Sequence, residues 1–77
     1  MNVTLIGYRN LNFITDANEK IVGTQVYVSY LTTGVIGEEA AKYFLNSDFE
    51  LPNLVVGQSY DMQFNHRGKV IDMLETD

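Results

Sequence analysis

The sequence predicts a mainly β protein: a small five-stranded β-barrel, closed or partly closed, with at most one short helix. Three observations predict it. Between Gly57 and Leu74, Tyr60, Met62 and Phe64 alternate with Asp61, Gln63 and Asn65, the period of two of a strand with one buried and one wet face. From Ile21 to Leu31 the chain carries Val22, Val26, Tyr27, Val28 and Tyr30, all good strand formers. Further short runs recur between polar or glycine-bounded breaks, and closing them on one another removes the exposed edges that an open meander would leave.

The first strand starts at Asn2, where Val3, Leu5 and Gly7 alternate with Thr4, Ile6 and Tyr8. Gly7 marks a bulge or bend, and weaker alternation continues to Ile14. Thr15 to Lys20 is a polar turn rich in Asp and Asn. In the second strand Val22, Thr24, Val26, Val28 and Tyr30 share one face, and Ile21, Gly23, Gln25, Tyr27, Ser29 and Leu31 share the other. If the first face is the core, Tyr27 stands among polar neighbours. Thr32 to Gly37 is a connection punctuated by Gly34 and Gly37.

Glu38 to Asn46 reads two ways. Glu-Glu-Ala-Ala-Lys favours a helix, and Ala41, Phe44 and Leu45 have helical spacing; nine residues are marginal for a helix, and Tyr43, Phe44 and Leu45 favour a strand, the preferred reading. Pro52 excludes a helix interior and extends Leu51, so Phe49, Leu51 and Leu54 are expected to plug the bottom of the core as an irregular loop. The chain ends in a hairpin whose strands flank His66, Arg67 and Gly68.

At 77 residues the chain forms one domain, residues 1–77, and can bury only about 60% of its unfolded surface. No cysteine staples this thin core and no Cys/His cluster could hold a structural zinc, so pairing into a homodimer is the expected source of extra stability. No cationic segment leads into a long apolar run, and no stretch approaches the roughly 18 apolar residues that span a bilayer. A soluble, cytoplasmic protein without membrane contact is expected.

The formal net charge is −5, which opposes any simple nucleic-acid role, because neutralising phosphates demands a basic surface. Distribution matters more than the sum. The acids gather after the midpoint, ending in Asp72, Glu75 and Asp77, whereas Arg9, Lys20, Arg67 and Lys69 sit at or near predicted turns. Convergence of those turns would make a basic patch on an acidic protein. Without it, the same residues are a solvated surface.

No chemistry-bearing constellation stands out. His66 is a lone histidine in a turn, Ser29, Ser47 and Ser59 lack a nucleophile elbow, and the glycines form no phosphate-cradling loop. The expectation is no enzyme, no metal, no cofactor and no small-molecule substrate. The nine Phe and Tyr residues say more. In small β-barrels that bind single strands, bases stack on aromatic faces while Lys and Arg hold the phosphates. Tyr8, Phe13 and Tyr27 are the candidate stacking residues, and Arg9, Lys20, Arg67 and Lys69 the candidate phosphate contacts. The competing role for Tyr8, Tyr30, Tyr43 and Tyr60 is core packing with hydroxyls at the rim.

The order GYRNLNFIT, polar turn, GTQVYVSY, glycine-bounded connection, KYFL and LVVGQSYDMQFNHRGKVIDML resembles the small single-stranded DNA-binding, helix-destabilising proteins of filamentous phages and related mobile elements of Gram-positive bacteria. The resemblance rests on Phe13 to Thr15, on Val56 to Tyr60 and on Asn65 to Val70. It implies an OB-like barrel that dimerises and coats single-stranded DNA without sequence preference in replication. The chain departs in charge, since Asp16 to Lys20 holds two acids and one lysine where that family presents several basic residues. The alternative is an acidic protein-interaction module that binds no nucleic acid.

Overall fold

The computed structural model describes residues Met1 to Thr76 and contains five antiparallel strands in one sheet and no helix. They are β1 (Asn2–Ile14), β2 (Lys20–Tyr30), β3 (Glu39–Asn46), β4 (Ser59–Phe64) and β5 (Val70–Glu75). Their order across the sheet is β3-β2-β1-β4-β5. Asp77, the last of the carboxyl-terminal acids, lies outside the described residues; Asp72 and Glu75 belong to β5.

The mainly β expectation holds, and Glu39–Asn46 is a strand. Its nine-residue window is too short to repay helix nucleation, whereas β3 gains a full ladder on β2, from Gly23 opposite Asn46 to Tyr30 opposite Glu39. The sheet is not closed, because no ladder joins β3 to β5. It curls instead. All five strands contribute to one buried cluster: Val3 and Leu5, Val26 and Val28, Leu45, Tyr60 and Met62, Val70 and Met73. Tyr43 of β3 meets Phe64 of β4 with ring centroids 5.3 Å apart, although two other strands separate them in the sheet. Side chains therefore span the gap that backbone pairing leaves open.

β1 is the axis of the molecule. At about 3.3 Å per residue its 13 residues run about 43 Å, which accounts for the 42 Å long dimension. Its Asn2 to Thr4 end pairs with β4, its Thr4 to Ile14 length pairs with β2, and between Leu5 and Gly7 the register slips at a bulge. That slip accommodates Ile6 and changes which residues face the core. Val3 and Leu5 are buried, and beyond the bulge Tyr8, opposite Val26, takes the core-side positions while Gly7 and Arg9 take the outer ones.

The β1–β2 and β4–β5 turns have the same construction. Thr15 and Asn65 each donate a backbone amide to the carbonyl four places on, accept that residue's amide on the side-chain oxygen, and accept the amide of the residue three places on at the backbone carbonyl. The fourth residues, Asn18 and Gly68, have φ of 63° and 79°. Each is a tight hairpin turn closed by a left-handed residue, and Asn65 Oδ1 reinforces the second by accepting the Arg67 and Lys69 amides. A Cβ at Gly68 would meet no neighbour, so Gly68→Ala isolates the backbone cost. The expected loss is about 1–2 kcal/mol, read as a lower urea midpoint at unchanged slope.

Between β3 and β4 the chain is irregular, as Pro52 demands. Phe49 and Leu54 pack against the core, but Leu51 remains 40% exposed and does not plug it. What anchors this loop is Tyr60, fully buried, whose hydroxyl donates to Asn53 O at 2.6 Å and accepts the Val55 amide at 2.8 Å.

Candidate nucleic-acid interface

Ladder register decides which side chains share the outer face, because residues directly opposite in an antiparallel pair point the same way. Beyond the bulge, β1 presents Gly7, Arg9, Leu11 and Phe13 outward. β2 presents Tyr27, Gln25, Gly23 and Ile21 opposite them. β3 adds Lys42 beside Tyr27, Phe44 beside Gln25 and Asn46 beside Gly23. Two consecutive rows across three strands are thus Arg9, Gln25, Phe44 and Gly7, Tyr27, Lys42. These rows carry two aromatic rings and two cations.

Among the described residues no carboxylate occupies an outer-face position on this part of the sheet. Asp16 and Glu19 lie in the β1–β2 turn, Glu39 faces the core side opposite Tyr30, and Asp48 and Glu50 follow β3. Glu38 precedes β3 and accepts a hydrogen bond from Ser29 Oγ at 3.4 Å, one row beyond Tyr27. Asp61 belongs to β4, where the Met1 ammonium 3.0 Å away holds its carboxyl below the ordinary range. The two rows themselves carry no carboxylate, and Glu38, held by Ser29, and Asp61, opposite Asn2, border them on the same side of the sheet.

The rings on this face are held in place. Tyr27 Oη donates to Gln25 Oε1 at 3.2 Å, and the Arg9 guanidinium donates to the same oxygen through Nε at 3.3 Å and Nη2 at 3.2 Å. Phe44 lies over Gly23. A Cβ at Gly23 would run into the Leu45 carbonyl oxygen and the Phe44 ring, whose Cζ is 2.5 Å from that point. Glycine at position 23 therefore creates the notch that seats the ring against the β2 backbone. Gly23→Ala should cost about 1–3 kcal/mol through overpacking against a backbone atom that cannot move cheaply, measured as a lower urea midpoint.

Of the seven residues singled out in the sequence, the structure brings three together on this face: Arg9, Phe13 and Tyr27. Phe13 sits at the distal end, opposite Ile21, and is 48% exposed. Tyr8 is also exposed, but the bulge turns it to the opposite face, opposite Val26. Lys20 pairs with Ile14 at the tip of the β1–β2 ribbon. Arg67 and Lys69 belong to the β4–β5 turn, which projects past the other end of β1, since Asp61 is already level with Asn2 and β4 continues beyond it. From Asn2 to Arg9 is about 23 Å of strand, so the β1–β2 and β4–β5 turns do not converge.

Lys42 and Phe44 belong to the face and were not among those seven. The signal was present, because once Glu39–Asn46 is taken as a strand, Ala41, Tyr43 and Leu45 alternate with Lys42 and Phe44. A helical alternative for the same segment obscures that split. Along the β1–β2 ribbon, Asn10, Asn12, Val22, Phe49 and Leu51 help line an open groove of about 380 Å³, in which no charged side chain stands among the described residues. No family model, curated protein or solved structure matches this chain.

Proposed function

We propose that this protein binds single-stranded nucleic acid, DNA foremost, without sequence preference, as a homodimer serving replication of a phage, plasmid or other mobile element. The observation that carries the reading is the outer face of β1, β2 and β3, where Tyr27, Phe44 and Phe13 accompany Arg9 and Lys42 and no carboxylate intervenes. Bases stack on the rings, and the guanidinium and ammonium groups hold the phosphates between them. Every base offers a π face, so stacking of this kind tolerates any sequence. The resemblance to helix-destabilising phage proteins supports the same reading, and the thin core of nine buried apolar residues favours a second subunit.

Fluorescence anisotropy of a labelled oligothymidine, titrated at low and moderate salt, tests the proposal. Roughly micromolar or tighter affinity at low salt is expected, with log K falling against log salt by about 0.7 per phosphate contacted. Arg9 and Lys42 together set a slope of about −1.4 per subunit. Absence of binding at low salt overturns the proposal.

A second reading, an acidic protein-interaction module, is favoured by the unpaired sheet edges of β3 and β5 and by Leu31 and Ile36, both almost wholly exposed in the β2–β3 connection. Strand addition at such an edge gains main-chain hydrogen bonds and responds little to salt. The same titration therefore separates the two readings.

A further inference from the structure

We propose that Gln25 is a positioning residue that binds the Arg9 cation and the Tyr27 ring into one preformed element of the strand-binding face. This rests on the single-strand reading and deepens it. The geometry is specific: one oxygen, Gln25 Oε1, accepts from Arg9 Nε, Arg9 Nη2 and Tyr27 Oη at 3.2–3.3 Å. A guanidinium only donates, so the atom it meets is the amide oxygen and the orientation of the Gln25 side chain is determined by its partners. Arg9 lies directly opposite Gln25 on β1, and Tyr27 lies two residues along β2 on the same face. The three groups are brought together by backbone register.

The consequence is energetic. A free arginine on a sheet surface samples many rotamers, and holding it still for a ligand costs conformational entropy. Gln25 meets part of that cost before the ligand arrives, for a ring and a cation at once. A neutral hub is also required. A carboxylate at position 25 would hold Arg9 at least as firmly, but it would set a negative charge between the cation and the incoming phosphate. An amide oxygen orients the guanidinium while leaving its full charge available. With its hydrogen committed to Gln25, the Tyr27 hydroxyl keeps its lone pairs as acceptors, so its side of the ring can receive base amino groups.

Gln25→Met, which keeps length and removes the acceptor, is tested with Tyr27→Phe, which keeps the ring and removes its hydroxyl. Oligothymidine anisotropy is measured on each, on the pair combined and on Arg9→Ala with and without Gln25→Met. Gln25→Met is expected to bind about 3- to 10-fold more weakly at an unchanged melting temperature. The loss should shrink to less than about twofold in the Arg9→Ala background, because nothing is left to position; a merely structural role would carry the same penalty into both backgrounds. If Gln25→Met fails to fold, Tyr27→Phe with and without Arg9→Ala decides on the same criterion. Gln25→Met binding as tightly as the parent, while Arg9→Ala and Tyr27→Ala weaken binding, overturns the inference and leaves the single-strand reading standing. Arg9→Ala and Tyr27→Ala binding as tightly as the parent overturns both.

Discussion

Tyr27→Ala and Phe44→Ala should each weaken oligothymidine binding about 5- to 150-fold at low salt, the equivalent of roughly 1–3 kcal/mol per lost base stack. Both side chains lie on the outer face and neither belongs to the buried cluster. Their removal should therefore leave the fold intact, and circular dichroism and the urea midpoint check this independently of binding. Two substitutions serve as internal controls. Tyr8→Ala removes from the opposite face an aromatic residue about as exposed as Phe44, and Arg67→Ala removes a cation from the far turn. Each should change affinity by less than about threefold, the lesser effect expected of groups outside the stacking rows. Equal losses at Tyr8 and Tyr27 would show that the bound strand does not follow the outer face of β1, β2 and β3.

Stability concentrates at Tyr60. Tyr60→Ala should cost about 3–5 kcal/mol, because it empties the largest fully buried side chain in the core. A chain of this length has only about 4–12 kcal/mol to lose, so a substantial unfolded population is expected at physiological temperature. Tyr60→Phe divides the effect. It retains the ring but leaves the Val55 amide and the Asn53 carbonyl without their shared hydroxyl, at a cost of about 1–3 kcal/mol. The loop they belong to should become the first region to exchange its amides. A Tyr60→Phe protein with the parental urea midpoint would mean that water replaces the hydroxyl at no cost and that the loop is not anchored as described.

Both results depend on how strand register distributes one set of residue types. In β2 the division into two faces was legible from its period of two, and the burial of Val26 and Val28 makes theirs the core and leaves Gln25 and Tyr27 outside. β3 was harder, because a short segment of Glu, Ala, Lys, Tyr, Phe and Leu satisfies helical and strand periods almost equally. Its ladder on β2 resolves the ambiguity, and with it the role of Lys42 and Phe44. Tyr8 and Arg9 were adjacent candidates in the sequence, yet neighbours on a strand face opposite ways, so they cannot both serve one face. Gly7 signalled an irregularity without saying which of the two would turn outward.

The sequence by itself determined the mainly β class, the β4–β5 hairpin with its glycine turn, the polarity of the two faces of β2 and the irregular course around Pro52. Each of these follows from local causes: a period of two, a residue able to take positive φ, a ring that fixes φ. Tertiary structure alone decided that the sheet curls without closing, that the cationic turns stand at opposite ends of β1 and that Arg9, Gln25, Tyr27, Lys42 and Phe44 stand together in two adjacent rows of one face. The reason is that these outcomes depend on pairing between residues far apart in the chain. A slip of one residue at the bulge reverses every side chain beyond it.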